Sequence, residues 1–140
     1  MPTRAWQRQP IGTPRRAAAS TTMMLAMLVA TPAFAASHIV DIAWARDGRF
    51  ARSASVEPGK FVEFCGKLNA GDVIHWSFDA SAPVDFNIHY HLGTETEFPA
   101  KQAQVSAGQD TLRAAVHEDY CWMWSNKSTH RLRIDVRLQR

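Results

Sequence analysis

The chain has 140 residues, with 16 lysines and arginines against 13 aspartates and glutamates. A length of this order fits one domain once a leader is removed. The excess of basic charge belongs to that leader, which carries Arg4, Arg8, Arg15 and Arg16 and no acidic residue. The rest of the chain has no net basic charge, which argues against a nucleic-acid partner.

Residues 1–35 match the pattern of a signal peptide. The basic leader is followed by the apolar run 23–30, which is too short to span a bilayer as a helix. Ala33 and Ala35 supply the small residues that signal peptidase needs, and a pair of arginines leaves twin-arginine export open. We expect a periplasmic or secreted protein, with residues 36–140 as a single domain and no membrane span after cleavage. The alternative is an uncleaved N-terminal anchor.

The mature chain consists of short strand-like segments separated by turn residues. In chain order, these segments are 37–44, 49–56, 61–68, 73–80, 84–91, 111–116, 120–126 and a last one around 132–138. The stretch 92–109 is less regular and predicts a loop with a short edge strand. The pattern indicates an all-β fold, an antiparallel β-sandwich of seven or eight strands, with a jelly-roll connection also possible.

Two cysteines, Cys65 and Cys121, predict one disulfide in an oxidising compartment. Regular alternation would place each cysteine opposite to its large apolar neighbours, which include Phe64 and Trp122. Two arrangements resolve this conflict. Either a bulge shifts the register, which we favour slightly, or the disulfide joins neighbouring strands on the outer side of one sheet.

The cysteine segments also carry a resemblance to a known family. The matching segments are 61–65, 71–72, 74–78, 84–88, an acidic turn at 117–119, and Tyr120–Asn126 with its Tyr-Cys-x-x-x-Ser-Asn pattern. Over residues 56–138 the chain resembles the GOLD domain of the emp24/p24 family. The resemblance implies a disulfide-bonded sandwich that acts by protein contact, with no catalytic residues to transfer. The p24 proteins continue into a coiled coil and a membrane helix, so we expect a free-standing bacterial relative and no cargo-receptor role.

His89 and His91 form the best chemical candidate. Two histidines at positions i and i+2 of a strand point to the same face, where both imidazoles can reach one metal ion. Imidazole suits copper and zinc, so a Cu or Zn ion is the expected cofactor if there is one. A third ligand is needed, and the candidates are Glu95, Glu97, His75 and His117. The alternative is a solvated polar face.

A blue-copper site is a weaker alternative, because it needs a free cysteine with two histidines and often a methionine. Met123 lies close to Cys121 in the sequence. Cys65, however, offers Cys121 a disulfide partner.

Tyr120, Trp122 and Trp124 alternate along one strand and so share one face. We favour core packing for them. If the cysteines face inward, this stripe would instead be exposed, and it would form a binding surface for a sugar, a peptide or a protein.

The sequence shows no catalytic constellation. His117–Asp119 is better interpreted as a turn than as an acid–base pair, and no serine lies in an elbow motif. We therefore predict an exported binding module without catalytic activity, with a protein or small-ligand partner in the cell envelope. The alternatives are a periplasmic copper- or zinc-binding protein that uses His89 and His91, and a structural subunit of an envelope complex.

Overall fold

The computed structural model describes residues 38–140, which form seven strands. In chain order these are β1 (His38–Asp41), β2 (Arg49–Val56), β3 (Phe61–Leu68), β4 (Val73–Leu92), β5 (Glu95–Arg113), β6 (Glu118–Ser125) and β7 (Leu132–Gln139). Within this described part, no helix is long and apolar enough to cross a membrane. The predicted signal peptide, residues 1–35, lies outside the described residues and stays a prediction.

The strands build one curled, sandwich-like sheet in the order β1-β3-β6-β4-β7-β2, with β5 on the free side of β4. The curl brings the β2–β7 part over the β3–β6 part. Phe50 meets Phe64 with ring centroids 5.4 Å apart, and Phe78 meets Trp124 at 5.5 Å. The all-β prediction is therefore confirmed. The sheet is mixed rather than purely antiparallel, because β1 pairs in parallel with β3.

β4 is the strand that departs most from the sequence prediction. The predicted turn at 81–83 does not interrupt it, and one strand of 20 residues replaces two shorter ones. On one side β4 pairs with β7 up to Ala80 and with β6 from Asp85 onward. Between these points β4 changes neighbours, so Pro83 lies where no ladder hydrogen bond is required of it. Residues 92–109, predicted as a loop with a short edge strand, instead belong mostly to the long strand β5, which begins at Glu95.

The aromatic stripe of β6 lies in the core. Tyr120, Trp122 and Trp124 are 0%, 0% and 1% exposed, so they form no binding surface. Their inward orientation follows from the alternation of β6, which places the cysteine on the opposite face. The Tyr120 hydroxyl accepts a hydrogen bond from the Ala115 N–H at 2.9 Å. The two indole N–H groups find no hydrogen-bond partner within residues 38–140.

The disulfide joins Cys65 and Cys121 across two neighbouring strands. β3 and β6 pair without interruption from Phe61 opposite Ser125 to Leu68 opposite Glu118, and the two cysteines are directly opposite each other in this ladder. Their Cα atoms are 4.1 Å apart. The predicted bulge is therefore wrong and the alternative is correct. An unbroken ladder keeps both cysteines on the face away from the core, which we call the outer face.

Candidate functional site

The outer face carries a shallow concavity around the disulfide. Its lining includes Ile39, Asp41, Glu63, Lys67, His89 and His91. The strand register explains why these residues meet. His89 is opposite Cys121 in the β4–β6 ladder, and Cys65 is in turn opposite Asp41 of β1. Glu63 lies two residues before Cys65 on the same face of β3.

Glu63 and His89 approach each other across β6. Glu63 Oε2 lies 3.7 Å from His89 Nε2, and each residue is only 8% exposed. The phenyl ring of Phe98, from β5, covers His89 at a centroid distance of 6.0 Å. The predicted outward orientation of His89 is correct, but the edge strand shields it from solvent.

The protonation of His89 is set by a neighbour on its own strand. His89 Nδ1 lies 2.9 Å from Asn87 Oδ1. Because an amide oxygen only accepts hydrogen bonds, the ring proton of neutral His89 resides on Nδ1. The Nε2 lone pair then points toward the Glu63 carboxylate.

His91 completes the cluster from a more exposed position. Its ring centroid is 5.4 Å from that of His89, with the two planes at 76°. His91 Nδ1 lies 3.1 Å from Oγ1 of Thr96, the residue opposite it on β5. This contact orients the ring and leaves His91 Nε2 unused.

Burial and charge shift the two buried groups in opposite directions. Burial raises the pKa of the Glu63 carboxyl, while the nearby charge of His91 acts to lower it. Burial lowers the pKa of His89, and His91 lowers it further. His89 is therefore mainly neutral at pH 7, with its lone pair available.

None of the four predicted third ligands reaches this cluster. Glu95 is opposite Leu92 and Glu97 is opposite Tyr90, so both carboxylates point to the other face of the β4–β5 hairpin. His75 lies near the start of β4 and bonds Thr111 Oγ1 at 2.9 Å; His117 bonds Asn69 Oδ1 at 2.8 Å.

Glu63 is the residue that sequence reasoning missed. Alternation in the sequence places Glu63 on the same face as Cys65, and the predicted disulfide places that face next to β6. To bring Glu63 close to His89, one must also know that β4 lies beside β6 in the sheet, and the sequence does not show the order of the strands.

Cys121 also lies in the cluster, since its sulfur, the Glu63 carboxylate and a His89 ring nitrogen lie within 4.8 Å of one another. The sulfur is bonded to Cys65, so it is not a thiolate. A blue-copper site on Cys121 is incompatible with this bond.

Two exposed apolar side chains border the concavity. Within residues 38–140, the large hydrophobic residues that are exposed are Ile39 (66%), Phe98 (46%) and Leu92 (43%). Ile39 lines the concavity and Phe98 lies against His89, whereas Leu92 is opposite Glu95 and points to the other face of the β4–β5 hairpin. We call Ile39 and Phe98 the apolar rim. Exposed hydrophobic residues gathered in one place are typical of an interaction surface.

A second, wider groove lies at the opposite end of β4. Its lining includes Arg49, Trp76, Asp110 and Arg137, together with His75. Its lining mixes charged residues with the apolar residues Phe50, Trp76 and Leu138, but none of these three is an exposed hydrophobic residue. The groove therefore offers less to a protein partner than the apolar rim does.

No protein-family model and no curated protein matches this chain. Solved structures of similar fold exist. PliG of Aeromonas hydrophila, a periplasmic inhibitor of g-type lysozyme, matches with a TM-score of 0.53 and 12% identity, over 75% of this chain and 98% of that one. A mutant of Escherichia coli PliG, also a periplasmic inhibitor of g-type lysozyme, matches with a TM-score of 0.54 and 9% identity, over 74% and 98%.

A third similar structure comes from a different kind of protein. The pre-peptidase C-terminal domain of a Bacillus anthracis collagenase matches with a TM-score of 0.52 and 11% identity, over 71% of this chain and 95% of that domain. At such identities these likenesses show the fold alone. They give no support to the GOLD resemblance, and they also do not conflict with it.

Proposed function

We propose that this protein is an exported module without catalytic activity that binds a protein partner through the apolar rim. The observation that carries the proposal is the position of two exposed large hydrophobic residues, Ile39 and Phe98, beside one concavity. Burying one such side chain in an interface contributes about 1.5–3 kcal/mol. Exposed hydrophobic side chains that lie together on one face are typical of surfaces that a partner covers.

Two further observations support export and a protein partner. The disulfide between Cys65 and Cys121 is typical of proteins that fold in an oxidising compartment such as the periplasm. The fold is shared with PliG proteins, which are named as periplasmic inhibitors of a lysozyme. We therefore propose a periplasmic location and a cell-wall hydrolase as partner, with a g-type lysozyme as the first one to test.

The test compares binding to immobilised g-type lysozyme by wild type and by the variant Ile39→Ala/Phe98→Ala. Truncating both residues of the apolar rim should weaken binding at least about tenfold, which corresponds to about 1.4 kcal/mol. The matched control is Arg52→Ala, an exposed change on β2, which pairs only with β7. Binding by the control should equal that of wild type.

If the lysozyme does not bind, a photo-reactive amino acid at Phe98 tests the wider proposal in living cells. We expect one discrete crosslinked protein from position 98 and none from position 52. Equal adducts from both positions, or none from either, would contradict binding through the apolar rim.

A further inference from the structure

We infer that Glu63, His89 and His91 form a binding site for one divalent zinc or copper ion on the outer face. The inference requires no protein partner and so stands apart from the proposed function. It rests on the donor set, the spacing of the donors, the groups that orient them and the burial of the pair Glu63 and His89.

The donor set is the first argument. Two imidazoles and one carboxylate are a ligand combination that zinc accepts, with a fourth position left to water. Copper(II) accepts the same nitrogen and oxygen donors. The cluster contains no free thiolate, because Cys121 is bonded to Cys65.

The spacing is the second argument. Two ligand atoms bound to a tetrahedral zinc at its usual bond lengths lie about 3.4 Å apart. Glu63 Oε2 and His89 Nε2 are 3.7 Å apart. The ring centroids of His89 and His91 are 5.4 Å apart. The ligand atoms that lie within 4.8 Å of one another belong to Glu63, His89 and Cys121, so a rotation of the His91 side chain is needed to bring its nitrogen onto an ion held by Glu63 and His89.

The orienting contacts are the third argument. Metal-binding histidines usually hold their second ring nitrogen in a hydrogen bond, which fixes the tautomer. Asn87 does this for His89 at 2.9 Å, and Thr96 contacts the corresponding nitrogen of His91 at 3.1 Å. Both contacts use Nδ1, so both histidines keep Nε2 for an ion.

The burial of Glu63 is the fourth argument. Its side chain lies in a residue only 8% exposed, and no hydrogen bond to its carboxylate is made by residues 38–140. A largely shielded carboxylate without such bonds is stabilised by a neighbouring cation. A bound metal ion would interact with the carboxylate and with His89 Nε2, which lies 3.7 Å from it.

The backbone beneath the site is fixed by covalent chemistry. Cys65 lies two residues from Glu63 on β3, and Cys121 is opposite His89 in the β6–β4 ladder. The disulfide therefore ties β3, which carries Glu63, to β6, the strand that lies between the two donors. A site built on rigid strands holds its donors more precisely than one built on loops.

The experiment is a calorimetric titration of the oxidised, chelator-treated protein with zinc chloride and, separately, with copper(II) chloride. We expect one ion per chain with a Kd below about 1 μM for at least one of the two metals. His91→Ala should weaken binding at least tenfold. Asn87→Ala should weaken it about 10- to 100-fold, as losses of orienting partners do. Binding of only one metal would identify which of the two the site takes.

The matched control is His75→Ala/His117→Ala, which removes two hydrogen-bonded histidines distant from the cluster. The control should bind as wild type does. If the control loses binding as much as the site variants do, the metal binds to surface histidines and the inference is overturned. The absence of saturable binding in wild type would also overturn it.

A second readout does not depend on affinity. Electron paramagnetic resonance of the copper(II) form should show two imidazole nitrogens in wild type and one in His91→Ala, which changes an exposed residue. Two nitrogens in both proteins would exclude His91 as a ligand. Unchanged binding in Glu63→Gln would exclude Glu63 as a ligand and would overturn the three-donor site.

Discussion

Removal of the disulfide should cost this protein about 4 kcal/mol of unfolding free energy. Cys65 and Cys121 are separated by 56 positions, and the chain-entropy model assigns about that value to a loop of this length. Both cysteines lie on the outer face, so Cys65→Ala/Cys121→Ala opens no cavity among the core aromatics. The expected loss therefore arises mainly in the unfolded state, which becomes less constrained.

The magnitude is large for a domain of this size. Small domains have total stabilities of about 5–15 kcal/mol, so the variant should retain only part of that. At about 2.1 cal/mol/K per residue over roughly 105 residues, the melting temperature should fall by about 18 °C. The less constrained unfolded chain should also expose more surface, which raises the slope of unfolding free energy against urea concentration.

Urea unfolding followed by tryptophan fluorescence measures both quantities, because Trp122 and Trp124 are buried. Wild type in reductant should resemble the double variant, and the double variant should not respond to reductant. A loss below about 1 kcal/mol, or an unchanged urea slope, would refute the entropic reasoning.

Three further changes test other parts of the fold. Asn126→Ala should cost about 3 kcal/mol in urea unfolding, because the buried amide donates to the Val56 carbonyl at 2.9 Å and accepts a Ser128 N–H at 2.9 Å; a loss under 1 kcal/mol would contradict this. Gly108→Ala should cost about 1–3 kcal/mol, because its Cβ would lie 2.6 Å from an aromatic carbon; a wild-type melting temperature would be the opposing result. Hydrogen bonds from Ser53 and Arg133 lower the pKa of the Asp135 carboxyl. The stabilisation that these bonds give to the folded state is therefore present above pH 3.8 and is lost as the pH falls through the lowered pKa. Ser53→Ala should raise this pKa and lessen the acid sensitivity, and an unchanged carboxyl titration by NMR would count against it.

Local patterns predicted those elements whose limits are set by turn residues. The bounds of β2 and β3 agree with the prediction, because the Glu57–Lys60 turn ends one strand and begins the next. Strict alternation placed the β6 aromatics inward and the cysteines outward. For this pair of strands, the preference for a bulge was wrong, because the two outward-facing cysteines meet on adjacent strands.

Features that depend on which strands are neighbours in the sheet could not be predicted from the sequence. A strand that changes neighbours partway, as β4 does, contains turn-like residues without turning, so 81–83 was misassigned. The parallel pairing of β1 has no local signal either. The approach of Glu63 to His89 depends on β6 lying between β3 and β4, and local periodicity does not carry that information.

The position of β7 determines when this chain can finish folding. β2 has its hydrogen-bonded neighbour only in β7, from Arg49 opposite Gln139 to Val56 opposite Leu132. A chain still emerging from a ribosome thus leaves β2 without its hydrogen-bonded neighbour until residues 132–139 have emerged. Pairing of such distant segments is intrinsically slow. The sheet formed by residues 38–140 should therefore be completed late, and until then β2 remains unpaired.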